Sequence, residues 1–365
     1  MTNDLLYQIA LTLVPNIGSV QAKVLIEHFG SAENIFKAKR KELGNIENIG
    51  EIRAAAIRKF TDFPVAEEEI LFIEKYKIVP LFLTDKNYPR RLLHCYDAPT
   101  ILFYRGTADL NATKIISIIG TRSNTDYGKL VTEKLIADLK EHNVIVVSGL
   151  AFGIDAIAHK AALQHELQTI AVLAHGLDTI YPSQHKALAK EIVQQGGLLT
   201  ELMKNTKPDK HNFPKRNRIV AGLADAAIVI ETAVKGGSMI TAELANNYNR
   251  DVFAFPGKTT DNKSTGCNHL IKNNKAVLLT DASQLSEMMN WQPKKPKPKI
   301  QKELFLNLND DEKVIVNILK QKEAVHIDEL YLKSGLSSSS IAASILNLEL
   351  QNAVVSLPGK MYKLN

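Results

Sequence analysis

From about residue 75 to 290, short continuous apolar runs alternate with amphipathic stretches, and this alternation constrains the fold more than any other feature. Ile115-Ile116-Ser117-Ile118-Ile119, Val144-Ile145-Val146-Val147, Thr169-Ile170-Ala171-Val172-Leu173, Ala226-Ala227-Ile228-Val229-Ile230 and Val252-Phe253-Ala254-Phe255 read as strands. Helical patterns lie between them, at Tyr127 to Glu141, Ile154 to His165, Ser183 to Gln195 and Ile240 to Tyr248. Strands apolar throughout and separated by helices predict an α/β class: a Rossmann-like, mostly parallel sheet covered on both faces.

Two smaller modules are expected to flank it. Residues 1–70 read as short helices. Val14-Pro15-Asn16-Ile17-Gly18 and Ile46-Glu47-Asn48-Ile49-Gly50 each set a glycine turn before a helical pattern, the shape of a helix-hairpin-helix (SAM-like) module. Such turns hold DNA phosphates without reading bases, or serve only for helical packing. Residues 291–304 form a Lys/Pro linker around Pro293-Lys294-Lys295-Pro296-Lys297-Pro298-Lys299, which cannot pack a core. Residues 305–365 predict three helices followed by a hairpin at Pro358-Gly359-Lys360, a winged helix. Its recognition-helix candidate, Ser338 to Glu349, contains no Lys or Arg, so protein contact is the better expectation there than DNA reading.

Composition narrows the classes. Of the 365 residues, 45% are apolar and 23% charged, as in ordinary globular proteins. No apolar run reaches the roughly 18 residues of a spanning helix. The N-terminal stretch has neither a basic region nor a cleavage pattern, so no signal peptide is expected. Cys95 and Cys267 lie outside any metal spacing, which fits a reducing cytoplasm. The net charge of +6 permits a polyanionic partner.

In open parallel sheets, ligands sit beyond the carboxyl ends of the strands. Here those ends carry Gly120-Thr121-Arg122, Ser148-Gly149-Leu150-Ala151-Phe152-Gly153-Ile154-Asp155, His175-Gly176-Leu177-Asp178, Gly236-Gly237-Ser238 and Pro256-Gly257-Lys258. Glycines let backbone amides approach an anion, and helix N-termini add a favourable dipole. The sharpest segment is Phe213-Pro214-Lys215-Arg216-Asn217-Arg218, with three cations in four positions. Pro214 suits a first helical turn, and Lys215 and Arg218 would share a face able to grip adjacent phosphates. The alternative is a solvated helix start with salt bridges.

Catalytic residues are harder to find. Asp155, His159, His175 and Asp178 have no spacing that fixes an acid–base pair, and Asp155 suits a brace for loop amides. The P-loop for ATP and the dinucleotide fingerprint are both missing, so no cofactor or metal is expected.

Taken in order, these segments resemble the DNA-processing protein A (DprA, or Smf) family. The matching pieces are Tyr88-Pro89-Arg90-Arg91-Leu92, the loops at Gly120, Ser148 and Gly176, Tyr181-Pro182, Phe213 to Arg218, Gly236-Gly237-Ser238-Met239-Ile240-Thr241-Ala242 and Gly266-Cys267-Asn268-His269-Leu270-Ile271. The resemblance implies a non-enzymatic protein that binds and protects single-stranded DNA. It also implies loading of the RecA recombinase during natural transformation, and a homodimer through the Rossmann-like domain. Carried over by motif, Arg122, Lys215, Arg216 and Arg218 would contact DNA phosphates. Gly120, Ser148, Gly149, Gly237 and Ser238 would shape the pocket, with Lys186 on its rim.

Two departures stand out. Phe152 replaces the family's usual Arg, offering a ring that stacks on a base or packs under the loop. Ala174-His175-Gly176-Leu177-Asp178 replaces the usual Gly-Cys-Gly-Leu-Asp. A rival reading is a nucleotide phosphoribohydrolase of the LOG type. Its Gly-Gly-x-Gly-Thr-x-x-Glu motif is kept here only as Gly236, Gly237 and Glu243, with Met239-Ile240 in place of the central pair.

Overall fold

The computed structural model describes residues 3–291, 308–351 and 353–364. The expected linker therefore lies, apart from Trp291, outside the described residues. Two compact units form, one from the residues up to 248 with 252–280, the other from 249–251 with the residues from 281 on.

The larger unit is built on nine strands: β1 (Val79–Phe82), β2 (Ile101–Gly106), β3 (Ile115–Ile119), β4 (Ile145–Ser148), β5 (Thr169–Val172), β6 (Gly197–Thr200), β7 (Ala226–Val229), β8 (Asp251–Ala254) and β9 (Val277–Leu278). Their spatial order is β1-β2-β6-β5-β4-β3-β7-β8-β9. Pairs from β6 through to β7 are parallel, as is β8 with β9, while β1 and β2 add an antiparallel edge. β3, β4, β5 and β7 are buried along their whole length, as sheets covered by helices on both faces require.

The chain leaves β3 in one direction through β4, β5 and β6, then returns to β7 on the other side of β3. That reversal creates a topological switch point at the carboxyl ends of β3 and β7, where such sheets open a crevice.

The N-terminal helices do not stand apart from this sheet. Ile9, Leu25, Ile35 and Ile57 share one apolar cluster with Phe82, Ile101 and Phe103, while Leu81, Leu102 and Tyr104 join the core on the other side. The period-two alternation of β1 and β2 thus makes this antiparallel pair a wall with two apolar faces. The helix Phe63–Tyr76 runs across the boundary expected at 70–75. Within the helices, Asn16 and Asn48 occupy equivalent left-handed positions (φ 64° and 66°) in the two hairpin turns. Arg53 ties the turns together, donating from Nε to the Asn16 carbonyl at 2.9 Å and from Nη1 to that of Asn48 at 3.1 Å.

The smaller unit holds a winged helix. Helices Asp310–Leu319, Ile327–Ser334 and Ser338–Leu350 surround Ile315, Leu319, Leu330, Ile341, Ile345 and Leu348. The hairpin of β11 (Val354–Leu357) and β12 (Met361–Leu364) follows, and β12 also pairs with β10 (Val325–His326). A capping box between Asn309 and Glu312 starts the first helix, and Ser337 caps the third. Among the described residues, no helix is long and apolar enough to cross a membrane.

Candidate nucleic-acid interface

A cavity of about 580 Å³ opens at the switch point. Gly120, Thr121 and Arg122 reach it from the end of β3, Gly149 from the loop after β4, Asp155 from the first turn of the helix Ile154–Gln164, and Thr232 from the segment after β7. Phe213, Arg216 and Asn217 enter from the helix Asn212–Leu223, and Gly236, Gly237 and Ser238 from the start of the helix Gly237–Asn247. Its charged lining comprises Arg122, Lys210 and Arg216 against the single carboxylate of Asp155, a cationic balance suited to an anion.

The floor is rigid. Arg216 is buried and donates from Nη1 to the carbonyls of both Gly149 and Val172. Burial lowers its pKa to about 10, against the support of Asp155. Asp155 accepts from the amides of Gly149 and Ala151 at 3.2 and 3.3 Å, so it braces the loop. Burial pushes this carboxyl above the usual range, while Arg216 and the loop amides pull it down. Ser148 is fully buried beneath the cavity, where its hydroxyl donates to the Ile118 carbonyl at 2.7 Å and joins β4 to β3. Ser148 therefore shapes the pocket from below, without lining it.

The opposite wall presents open donors. Gly237 begins an 11-residue helix, and a Cβ placed there would meet nothing within 4 Å. Neither packing nor a left-handed backbone explains this glycine, and the bare surface leaves room for a ligand at the helix N-terminus. Beside it, the buried Ser238 hydroxyl has no hydrogen-bond partner among the described residues. Buried hydroxyls are normally paired, so this unpaired atom sets Ser238 apart within the cavity lining.

The basic segment divides. Arg122 is exposed, with its guanidinium 5.3 Å from the centre of the Phe213 ring. Arg216 forms the floor. Lys215 and Arg218 do share a helix face, but that face turns to a second cavity beside the first hairpin. There Arg218 is paired with Glu201 and lies 3.8 Å from Asp97. The expectation that Arg218 grips a phosphate is corrected: two carboxylates already hold its guanidinium. Lys186 starts the helix Lys186–Gln195, exposed and outside the strand-end cavity. Phe152 also lies outside it, 44% exposed, its ring centre 5.0 Å from that of His185 in an edge-to-face arrangement.

Sequence reasoning gave no role to Phe213, Lys210, Asn217 or Thr232, which the fold brings into the cavity. Phe213 had a signal, because an aromatic residue ahead of Pro214 and a cation cluster offers a stacking platform. His175 and His159 both hydrogen-bond within the fold. His175 bonds through Nδ1 to the Gly176 carbonyl and accepts at Nε2 from the Tyr181 amide. His159 is buried and bonds Thr169 at 2.7 Å. Glu243, the acid of the phosphoribohydrolase motif, is exposed, 3.9 Å from Lys275 and outside the cavity.

A Rossmann-like sheet with a cationic, glycine-walled crevice at its switch point defines an α/β protein whose pocket has the charge to suit an anion, here joined to helix-hairpin-helix and winged-helix modules. Comparison with known proteins narrows the class. Residues 80–290 match the family model described as DNA recombination-mediator protein A, residues 295–360 the DprA winged helix domain, and residues 8–70 a helix-hairpin-helix motif. The chain is 33% identical to protein Smf of Synechocystis sp. over 392 residues, covering 98% of both chains. It is 39% identical to the DNA processing protein DprA of Streptococcus pneumoniae over 245 residues, 67% of this chain and 86% of the relative. The X-ray structure of DprA from Streptococcus pneumoniae superposes with a TM-score of 0.67 at 35% identity, covering 79% of this chain and 98% of that one. DprA from Helicobacter pylori, described for its single-stranded DNA binding mode, gives a TM-score of 0.54 at 31% identity, covering 59% and 96%. The chain belongs to the DprA/Smf family.

Proposed function

We propose that this protein binds single-stranded DNA in the strand-end cavity and acts as a carrier of the strand, with no chemical step of its own. The observation that carries the reading is the pairing of an exposed cation, Arg122, and the half-buried Phe213 ring with the bare helix start at Gly237 and the unpartnered Ser238 hydroxyl across one cavity. A phosphate at the helix N-terminus meets amides and the free hydroxyl, while a base stacks on Phe213. Duplex DNA keeps its bases stacked inside, so a site of this shape favours a single strand. Family membership supports the same assignment, together with protection of incoming DNA, hand-over to a RecA-type recombinase, a homodimer through the sheet domain and a cytoplasmic location. The buried roles of Asp155, His159 and His175 support a binding rather than a catalytic role.

A titration of the full-length chain with single-stranded and duplex oligonucleotides tests this. Tighter binding of the single strand is expected, with affinity falling as salt rises through counterion release. Equal affinity for both forms, without salt dependence, refutes it. Release of ribose 5-phosphate from nucleoside monophosphates would instead favour the phosphoribohydrolase reading.

A further inference from the structure

The second cavity, of about 680 Å³, lies between the first hairpin and the helix Asn212–Leu223. Its walls combine Leu13 and Ile17 from the hairpin with Leu202 from the segment after β6. Glu201 lies inside it, with Oε2 held by Arg218 and Oε1 buried without a hydrogen-bond partner among the described residues. Arg218 also lies 3.8 Å from Asp97, which accepts a hydrogen bond from the Tyr248 hydroxyl, so one guanidinium serves both carboxylates. Lys215 stands at the edge, exposed and in no salt bridge among the described residues. Pro214 lines both this cavity and the strand-end pocket, so the first turn of one helix is the ridge between them.

Apolar side chains mixed with hydroxyls, one unpartnered acceptor in the wall and one cation at the edge match a nucleotide unit. The flat base fills the apolar space, a base N–H meets Glu201 Oε1, and the phosphate stays on the ammonium outside. We propose that the second cavity takes a base of the same single strand, so that DNA leaving the strand-end pocket crosses Pro214 and continues onto the helix-hairpin-helix module. This rests on the reading of the strand-end pocket as a single-stranded DNA site. It assigns the hairpin module a share of the binding path and gives Lys215 a separate role from Arg122.

The test uses the full-length protein with a trinucleotide, which spans one cavity, and a dodecanucleotide, which spans both. Lys215→Ala should weaken the dodecanucleotide several-fold and leave the trinucleotide unchanged. It should also lower the salt slope of the longer strand by about 0.7, because one phosphate is no longer neutralised. Thr12→Trp, which fills the cavity from the hairpin side, should reproduce this length-dependent weakening with an unchanged unfolding midpoint. Equal weakening at both lengths, or at neither, overturns the proposal. Arg122→Ala is the control for the reading beneath it and should weaken both lengths. If it weakens neither while Lys215→Ala acts only on the longer strand, the strand-end assignment fails and the second cavity stands alone.

Discussion

The guanidinium of Arg216 lies over Gly149, so close that a Cβ on that glycine would stand 2.2 Å from Nη1. This contact joins the cationic segment of one helix to the loop after β4, and Asp155 locks it from below through the Gly149 amide. Arg216→Ala should therefore act first on stability. The substitution leaves the buried carbonyls of Gly149 and Val172 without their donor, at roughly 1–3 kcal/mol each, and removes the nearby positive charge from Asp155. Urea unfolding of the variant measures this directly. A change below about 0.5 kcal/mol, the size of an ordinary surface substitution, would contradict the assigned role.

Arg122 is the opposite case. Its side chain is exposed and touches the face of Phe213, without a salt bridge among the described residues. Arg122→Ala should leave the unfolding midpoint unchanged and reduce the salt slope of single-strand binding by about 0.7. Fluorescence anisotropy across a salt series reads both the affinity and the slope.

Gly237 separates folding from binding. A methyl group there meets nothing in the protein, and alanine favours the helix by roughly 0.5–1 kcal/mol. Gly237→Ala should fold at least as well as the parent, yet bind single strands more weakly, because the methyl occupies the space left for a phosphate. Retained affinity would place the phosphate elsewhere.

A pH effect follows from Glu69. Its carboxylate, from the helix Phe63–Tyr76, accepts from the Lys204 amide at 3.0 Å in a buried position. Burial raises its pKa from 4.5 to about 7. The folded state then binds this proton more tightly than the unfolded one, so its contribution to stability is full at low pH and declines as pH rises from about 4.5 to 7. Glu69→Gln should flatten that part of the stability profile, as denaturant melts across the range would show.

Much of the sheet was legible because β3, β4, β5, β7 and β8 are apolar runs of a kind that only a covered sheet accommodates. β1, β2, β6 and β9 escaped notice. β6 is four residues opening on Gly197, β9 only two residues, and the antiparallel β1–β2 edge takes its second apolar face from helices distant in sequence. The helix Gly237–Asn247 starts three residues before the expected Ile240, because two glycines read as loop where they in fact form a helix start. In the basic segment, spacing placed Lys215 and Arg218 on one face correctly. The direction of that face depends on Glu201 and Asp97, which tertiary packing alone brings to Arg218. The same packing is why binding tests belong on the full chain: cutting near residue 75 would strip the apolar face of Phe82, Ile101 and Phe103.

The central claim is that the strand-end cavity, rather than the winged helix, holds the DNA. Photocrosslinking of an iodouracil-substituted single strand to the full-length protein, with adducts mapped by mass spectrometry, tests it most directly. The geometry predicts adducts at Phe213 and its cavity neighbours, abolished in Phe213→Ala. Adducts confined to residues 308–364, unaffected by that substitution, would contradict it.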